Sequence, residues 1–338
     1  MSNARNLASA ADAYTAGSLT GRNRIINGAM MIDQRNGGAS VPTSSGSDVY
    51  SLDRWQLLYA QTSKFTVQRN AGAVTAPAGY TNYLGATSSS AYSVGATDYF
   101  GIRQNIEGFN MADFGWGTAG AQSVTLSFWV RSSLTGTFAG SMQNNAANRF
   151  YVFSYTISAA NTWEYKTITI VGDTSGTWLT DSGAGVRMTF SIGVGSTYSV
   201  TPGSWGTTAA LSATGATSVV GTNGATFYIT GVQLEAGSVA TPFDFRQYGQ
   251  ELALCQRYYQ FFAHAHGGAS NNFELGIHHA NFMTQMRVSP TLTELSFVQA
   301  NTSALVFDNI YQYGVHTYVS PTGSWFYRRS TVAASAEL

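Results

Sequence analysis

Charge is what this sequence lacks most. Only 10 % of its 338 residues are Asp, Glu, Lys or Arg, against about 25 % in ordinary globular proteins. The shortage is not that of a disordered chain, because 13 % of the residues are aromatic and disordered segments hold few aromatics. Acids and bases balance at seventeen each, so no net field favours nucleic acid or an anionic membrane. Lysine is nearly missing: fifteen of the seventeen bases are Arg, the other two being Lys64 and Lys166. Arginine's planar fork suits fixed hydrogen bonding, so many of these read as structural. The single cysteine, Cys255, excludes an intrachain disulfide and a thiolate metal cage. No apolar run approaches the length of a membrane span. The opening MSNARNLASAADAY lacks the apolar core of a secretory signal.

What remains is glycine, thirty-six residues of it, with abundant Ser, Thr, Tyr and Phe. Turn formers together with β-branched and aromatic residues fit an all-β, turn-rich protein. Alternation is clean in Val124-Leu126-Phe128-Val130, in Tyr151-Phe153-Tyr155-Ile157 and in Met188-Phe190-Ile192-Val194. Turn clusters such as Asn36-Gly37-Gly38 and Asn223-Gly224 separate the strands. The stretch Phe227 to Phe243, FYITGVQLEAGSVATPF, needs a special device. Strict period-2 counting sets Phe227 and Ile229 on the opposite face from Val232 and Leu234. A bulge near Gly231 would return all four to one core.

Four segments follow. Residues 1–22 hold a short amphipathic stretch (Leu7, Ala11, Tyr14) ended by Gly17 and Gly21, too short for a lone helix. Residues 23–246 read as one β-sandwich. Over 247–262, Tyr248, Leu252, Cys255, Tyr259 and Phe262 follow 4-3-4-3 spacing. That predicts a connecting helix whose seam either covers the sandwich or lines a symmetry axis. Strand patterns return over 263–338, a smaller β domain, with Phe273-Leu275-Ile277 and Trp325-Tyr327 among them.

Six separated segments give the chain a family likeness. They are NRIINGAMMIDQRNGG with YSLDRW, SVTLSFWVRSSLTGTF, SAANTWEYKTITIVGDTSGTW, ATFYITGVQLEAGSVATPFDFR and ELALCQRYYQ. In order and spread, over about 23–260, the chain resembles the fibre or adhesin proteins of tailed bacteriophages, especially those of cyanophages and other marine phages. The resemblance implies a jelly-roll, carbohydrate-binding-module-like β-sandwich assembled as a trimer on the virion. The expected role is a non-enzymatic fibre, on the tail rather than the head, that binds host cell-surface polysaccharide. Residues 1–22 would join other virion proteins, with neither nucleic acid nor membrane insertion involved. Such a protein is made in the host cytoplasm without a signal peptide. The alternatives are a head fibre or capsid decoration protein without a specific ligand, and a capsule depolymerase.

Candidate sites follow from residue chemistry. Trp116, Trp178 and Trp205 stand in glycine-, serine- and threonine-rich contexts that read as loops, as does Tyr198. Flat aromatic faces stack on sugar rings; the competing reading has loop tryptophans plugging a sandwich end or filling a subunit interface. Trp129 alternates away from Phe128 and predicts a covering layer or subunit. A glycan hydrolase needs two carboxylates facing one sugar, yet no spacing pairs Glu107, Asp113 and Glu235, and no catalytic residue is expected. Asp53-Arg54-Trp55 reads as a loop-pinning structural motif. His264 and His266 share one side of an extended segment, so three copies would offer six imidazoles to a transition metal on a threefold axis. No other cofactor is expected. His278 and His279 alternate and read as structural. Tyr311, Tyr313 and the run Trp325 to Arg329 read as the core and rim of the small domain.

Overall fold

The computed structural model describes residues 21–44, 49–269, 276–322 and 325–338. The proposed attachment segment, apart from its last two residues, and the Phe273-Leu275 pair lie outside that set. The chain falls into two compact units, one ending at Arg246 and joined by Leu338, the other Gln247–Glu337.

The first unit is built of fifteen strands among the described residues: β1 (Val41–Pro42), β2 (Tyr50–Leu52), β3 (Trp55–Tyr59), β4 (Phe65–Arg69), β5 (Leu84–Ser88), β6 (Tyr99–Glu107), β7 (Val124–Ser132), β8 (Gly136–Gln143), β9 (Phe150–Ile157), β10 (Glu164–Ile170), β11 (Ala184–Val194), β12 (Ser199–Val200), β13 (Trp205–Gly206), β14 (Ser212–Ala213) and β15 (Thr226–Ala236). They form a six-stranded sheet in the order β1-β4-β5-β15-β7-β10 and a seven-stranded sheet in the order β13-β9-β8-β11-β6-β3-β2. Every pairing in the two large sheets is antiparallel. The fold is the expected all-β jelly-roll sandwich.

Its core follows from the alternation. Val124, Leu126, Phe128 and Val130 of β7 are fully buried, as are Val186, Met188, Phe190 and Ile192 of β11. Each such side chain contributes roughly 1.5–3 kcal/mol on leaving water. The two sheets meet through edge-to-face rings, Phe128 against Phe190 at 4.9 Å, and through the stacked pair Phe138 and Phe227 at 5.9 Å.

The bulge stands where parity requires it. On β15 the register runs from Thr230↔Trp129 to Gln233↔Ser127, so three steps on β15 match two on β7. Gly231 takes φ +60°, a left-handed conformation that costs a side-chain-bearing residue free energy. Phe227, Ile229, Val232 and Leu234 consequently all enter the core.

In the second unit the expected helix over 247–262 is shorter. Helix α1 (Tyr248–Gln256) has nine residues, and Tyr259 already opens β16 (Tyr259–Ala269). Residues 258–262, Tyr-Tyr-Gln-Phe-Phe, are aromatic and favour strand. They gain a ladder with β21 (Trp325–Ser335), whereas a short extra turn of helix gains little. The 4-3-4-3 spacing is therefore not one helical seam: Tyr248 is 57 % exposed, Cys255 is fully buried, and Tyr259 and Phe262 lie on the strand. Two three-stranded sheets complete this unit, β16-β21-β18 and β17-β20-β19, with β17 (Gly276–Asn281), β18 (Thr291–Ala300), β19 (Val306–Ile310) and β20 (Gly314–Val319). Phe282, Met286, Val315, Ala334 and Ala336 form their buried core.

Candidate functional site

Three of the four aromatic candidates converge on one another. Trp116 and Trp178 lie edge to face at 4.8 Å, and Trp205 stands 5.2 and 5.3 Å from them. Each indole N–H donates to a main-chain oxygen: Trp116 to Gln122 at 2.8 Å, Trp178 to Ser175 at 3.1 Å and Trp205 to Val171 at 2.7 Å. Trp116 and Trp178 are only 5 % and 6 % exposed, so neither ring has a face for a sugar. Both belong to the sandwich core, and Trp205 packs against it. The structure thus replaces the sugar-stacking expectation for these indoles with a tryptophan plug. Tyr198 is half-buried, edge to face with Tyr99 at 5.9 Å. A depression of about 170 Å³ beside Tyr151 is lined by Tyr151, Phe153, Ser154, Ile168, Pro202 and Gly203, and none of the four candidates lines it.

The carboxylates are occupied with structure. Asp113 pairs with Arg24 at 2.5 Å. Glu235, buried, accepts from the Thr241 N–H at 2.9 Å and the Thr241 hydroxyl at 2.6 Å. Glu107 is buried on β6. Asp53 accepts from the Gln34 backbone and side-chain amides at 2.7 Å each. Arg54 donates to the Asn105 carbonyl at 2.5 Å and Trp55 to the Asn27 carbonyl at 3.1 Å.

The two histidines of β16 do share a face. Their Nε2 atoms lie 2.8 Å apart, and both reach the Thr317 hydroxyl of β20, His264 at 2.5 Å and His266 at 3.1 Å. That face points toward the second sheet of the same unit, and His266 is buried there. The pair is engaged inside the unit instead of standing on an outer face. No cluster of three or more His, Cys, Asp or Glu suited to a metal occurs among the described residues. His279 is edge to face with His316 at 4.9 Å. Tyr311 and Tyr313 stack at 5.3 Å. Arg328, buried, forks onto Glu294 with contacts at 3.1 and 2.5 Å and lies over the Phe297 ring.

Tyr311 and Tyr313 are both exposed rather than core, and a larger group of aromatic rings in the first unit lies on the outer face of the six-stranded sheet. Trp129 of β7 and Tyr165 of β10 sit opposite each other in register, with ring centroids 5.4 Å apart. Tyr80, Phe243 and Phe245 extend this ledge: Tyr80 is 5.5 Å from Phe243 and 5.3 Å from Phe245, which are themselves 4.7 Å apart. Burial, then the neighbouring Tyr165, pushes the Tyr80 hydroxyl pKa up, so it stays a neutral donor. Trp129 is half-buried, while Tyr165 and Phe245 are 44 % and 56 % exposed. Thr167 of β10 stands next along from Tyr165 on the same face and is exposed. Rings with exposed faces beside hydroxyls suit a sugar, whose C–H face stacks while its hydroxyls bond. The sequence signal for this ledge was the parity of Trp129 against Phe128, together with the alternation of Tyr165-Thr167-Thr169.

No protein-family model matches the chain, and no curated protein does. Solved structures resembling it include the enzymatically active domain of tailspike protein 4 of bacteriophage CBA120, 14 % identical with a TM-score of 0.35, covering 64 % of this chain and 22 % of that one. Another is a CBM4 structure, 12 % identical with a TM-score of 0.31, covering 62 % of this chain and 98 % of that one. A third is the family 11 carbohydrate-binding module from Clostridium thermocellum in complex with a mixed-linked tetrasaccharide, 14 % identical with a TM-score of 0.28, covering 60 % of this chain and all of that one. The chain thus spans about a fifth of the tailspike domain it resembles.

Proposed function

We propose that the chain is a bacteriophage virion fibre subunit that assembles as a trimer and binds host-surface glycan without cleaving it. The observation that carries the glycan part is the aromatic ledge: Trp129, Tyr165, Tyr80, Phe243 and Phe245 together on an outer sheet face, with Tyr165 and Phe245 about half exposed. A non-hydrolytic role is supported by the carboxylates, since Asp113 and Glu235 are already committed to Arg24 and Thr241. The virion assignment draws on the sequence likeness to phage fibres. Shallow sites of this kind bind weakly singly, and linked copies raise the avidity.

The test is a glycan array probed with the native protein and with Trp129→Ala. Trp129 is half-buried on the sheet's outer side, so the variant keeps the sandwich core. The native protein is expected to retain a defined set of glycans. The variant should bind them about tenfold more weakly, the scale of one aromatic contact. Unchanged affinity of the variant, or no glycan retained by the native protein, overturns the reading.

A further inference from the structure

The aromatic ledge ends at an arginine. Side chains two residues apart on a strand share a face and stand about 7 Å apart, the scale of one sugar ring with its substituent. Arg131 of β7 therefore shares the outer face with Trp129, and the register sets it opposite Tyr228 of β15. It marks the end of the ledge away from Phe243 and Phe245. Those two flank Asp244, whose N–H donates to the Gln233 side-chain oxygen at 2.8 Å, and Gln233 pairs with Ser127, on the other side of Trp129.

The guanidinium is already held in place. Its Nε donates to the Asn161 carbonyl at 3.0 Å, and its Cζ lies over the Tyr228 ring, 5.5 Å from the centroid. The side chain is half-buried, yet its two Nη groups make no hydrogen bond or ion pair among the described residues and are open to solvent. Elsewhere in the same unit arginines meet carboxylates: Arg24 meets Asp113 at 2.5 Å, and Arg149 meets Asp173 at 2.6 Å. Among the described residues no acid takes that part for Arg131. Glu164 of β10 is in register with Val130, a core residue, so it leaves its strand on the opposite face, and it is committed to Lys166 at 2.6 Å. The outer-face partners in register with Trp129 and Arg131 are Tyr165, Thr230 and Tyr228, all neutral. A cation fixed in this way has already lost the freedom that binding would otherwise remove, and its bonds to an oxyanion are of the stronger, charge-assisted kind. A neutral glycan on the ledge would use the rings and leave the fork in water.

We propose that the ledge takes an acidic glycan: a sugar ring stacks at Trp129 and Tyr165 while its carboxylate or sulfate group accepts from the two Nη groups of Arg131. Arginine's planar fork matches the paired oxygens of either group. That the ligand is a sugar rests on the glycan-binding reading above; that it carries an anion rests on Arg131.

The experiment titrates the full chain with oligomers of polygalacturonate, hyaluronate and a sulfated galactan. Each is tested again after its charge is removed, by reduction of the carboxyl groups to alcohols or by desulfation. At least one acidic oligomer should bind the native protein, and its neutral form should bind tenfold or more weakly. A response confined to the carboxyl-reduced oligomers assigns the carboxylate, and one confined to the galactan assigns the sulfate. Arg131→Gln should bring the acidic form down to the affinity of the neutral one and leave the neutral form unchanged. Arg131→Lys, which keeps the charge and loses the fork, should fall between. The comparison of charged and neutral oligomers uses native protein only, so a misfolded variant cannot decide it. Failure of all the acidic oligomers, equal affinity for charged and neutral forms, or an undiminished Arg131→Gln overturns the acidic assignment. Free sulfate or acetate competing as strongly per anion as the oligomer would overturn the part given to the sugar. Acidic binding abolished in Arg131→Gln but intact in Trp129→Ala would overturn the shared site. If the acidic oligomers fail while the array yields neutral glycans lost in Trp129→Ala, the acidic assignment falls and the ledge stands. If neither the array nor any oligomer binds, the glycan reading itself falls.

Discussion

Tyr155 is a hydroxyl in the wrong place for stability. Its ring packs among Phe128 at 5.0 Å, Phe138 at 6.1 Å and Phe153 at 6.5 Å, and its oxygen is buried with no hydrogen-bond partner. Burial drives its pKa up, so the group is neutral and its cost is the lost water contact alone. Tyr155→Phe keeps the ring and removes that cost. It should raise unfolding free energy by about 1 kcal/mol and the thermal midpoint by about 2–4 °C. A scanning calorimetry trace with an unchanged or lower midpoint would sink this account. The same scale shows what residue chemistry can tell in advance. Trp116, Trp178 and Trp205 were recognisable as loop tryptophans, and packing at a sandwich end was one of the two readings open. What distinguished plug from platform was the convergence of two loops and the short strand β13, which carries Trp205, from places far apart in sequence, which no local context encodes.

Within elements, parity was the strongest guide and helix length the weakest. The facing of Phe227, Ile229, Val232 and Leu234 demanded a bulge, and Gly231 supplies it. A Cβ at that position would stand 2.6 Å from the Tyr80 hydroxyl oxygen, and the left-handed backbone adds about 1–2 kcal/mol for a side-chain-bearing residue. Gly231→Ala should therefore cost about 2 kcal/mol or more, read as a lower urea midpoint with an unchanged slope. A midpoint equal to the parent's would show that β15 does not need its glycine. The segment 247–262 failed in the opposite way. Its apolar spacing fits two heptads, yet Tyr258 to Phe262 are strong strand formers, and the partner that decides the matter, β21, lies over sixty residues downstream. A short apolar run cannot be assigned to helix or strand by periodicity alone.

At the scale of the molecule, the second unit has one sheet facing the wrong way for a solitary chain. On β16, Gln260 and His266 are buried, whereas Phe261, on the other side of the strand, is 46 % exposed. On the neighbouring strands Val298 and Tyr327 are likewise 61 % and 39 % exposed. Val298 and Ala265 pair with Arg329, and Ala300 and Gly267 with Tyr327, in register, which sets Val298, Ala300, Gly267 and Tyr327 on that outward face with Phe261, Ala263 and Ala265, around the exposed Arg329. Small residues between Phe261, Val298 and Tyr327 make a surface that another backbone can approach closely, and exposed apolar and aromatic side chains around an arginine have the composition of association sites. A trimer, proposed here from the fibre likeness, would use this face in place of the helical seam that 248–262 does not form. Light scattering on the native protein should return about three times the 36.1 kDa of one chain. Phe261→Asp with Val298→Asp should reduce that mass to a single chain, because burying two carboxylates, of which only the one at 298 has a cation opposite it in Arg329, costs more than the apolar area returns. The carboxylates would point to solvent in the monomer, so the second unit should still fold, and retained far-ultraviolet dichroism would show it. A native mass of one chain would remove the trimer; a trimer that survives both aspartates would move its interface off this sheet.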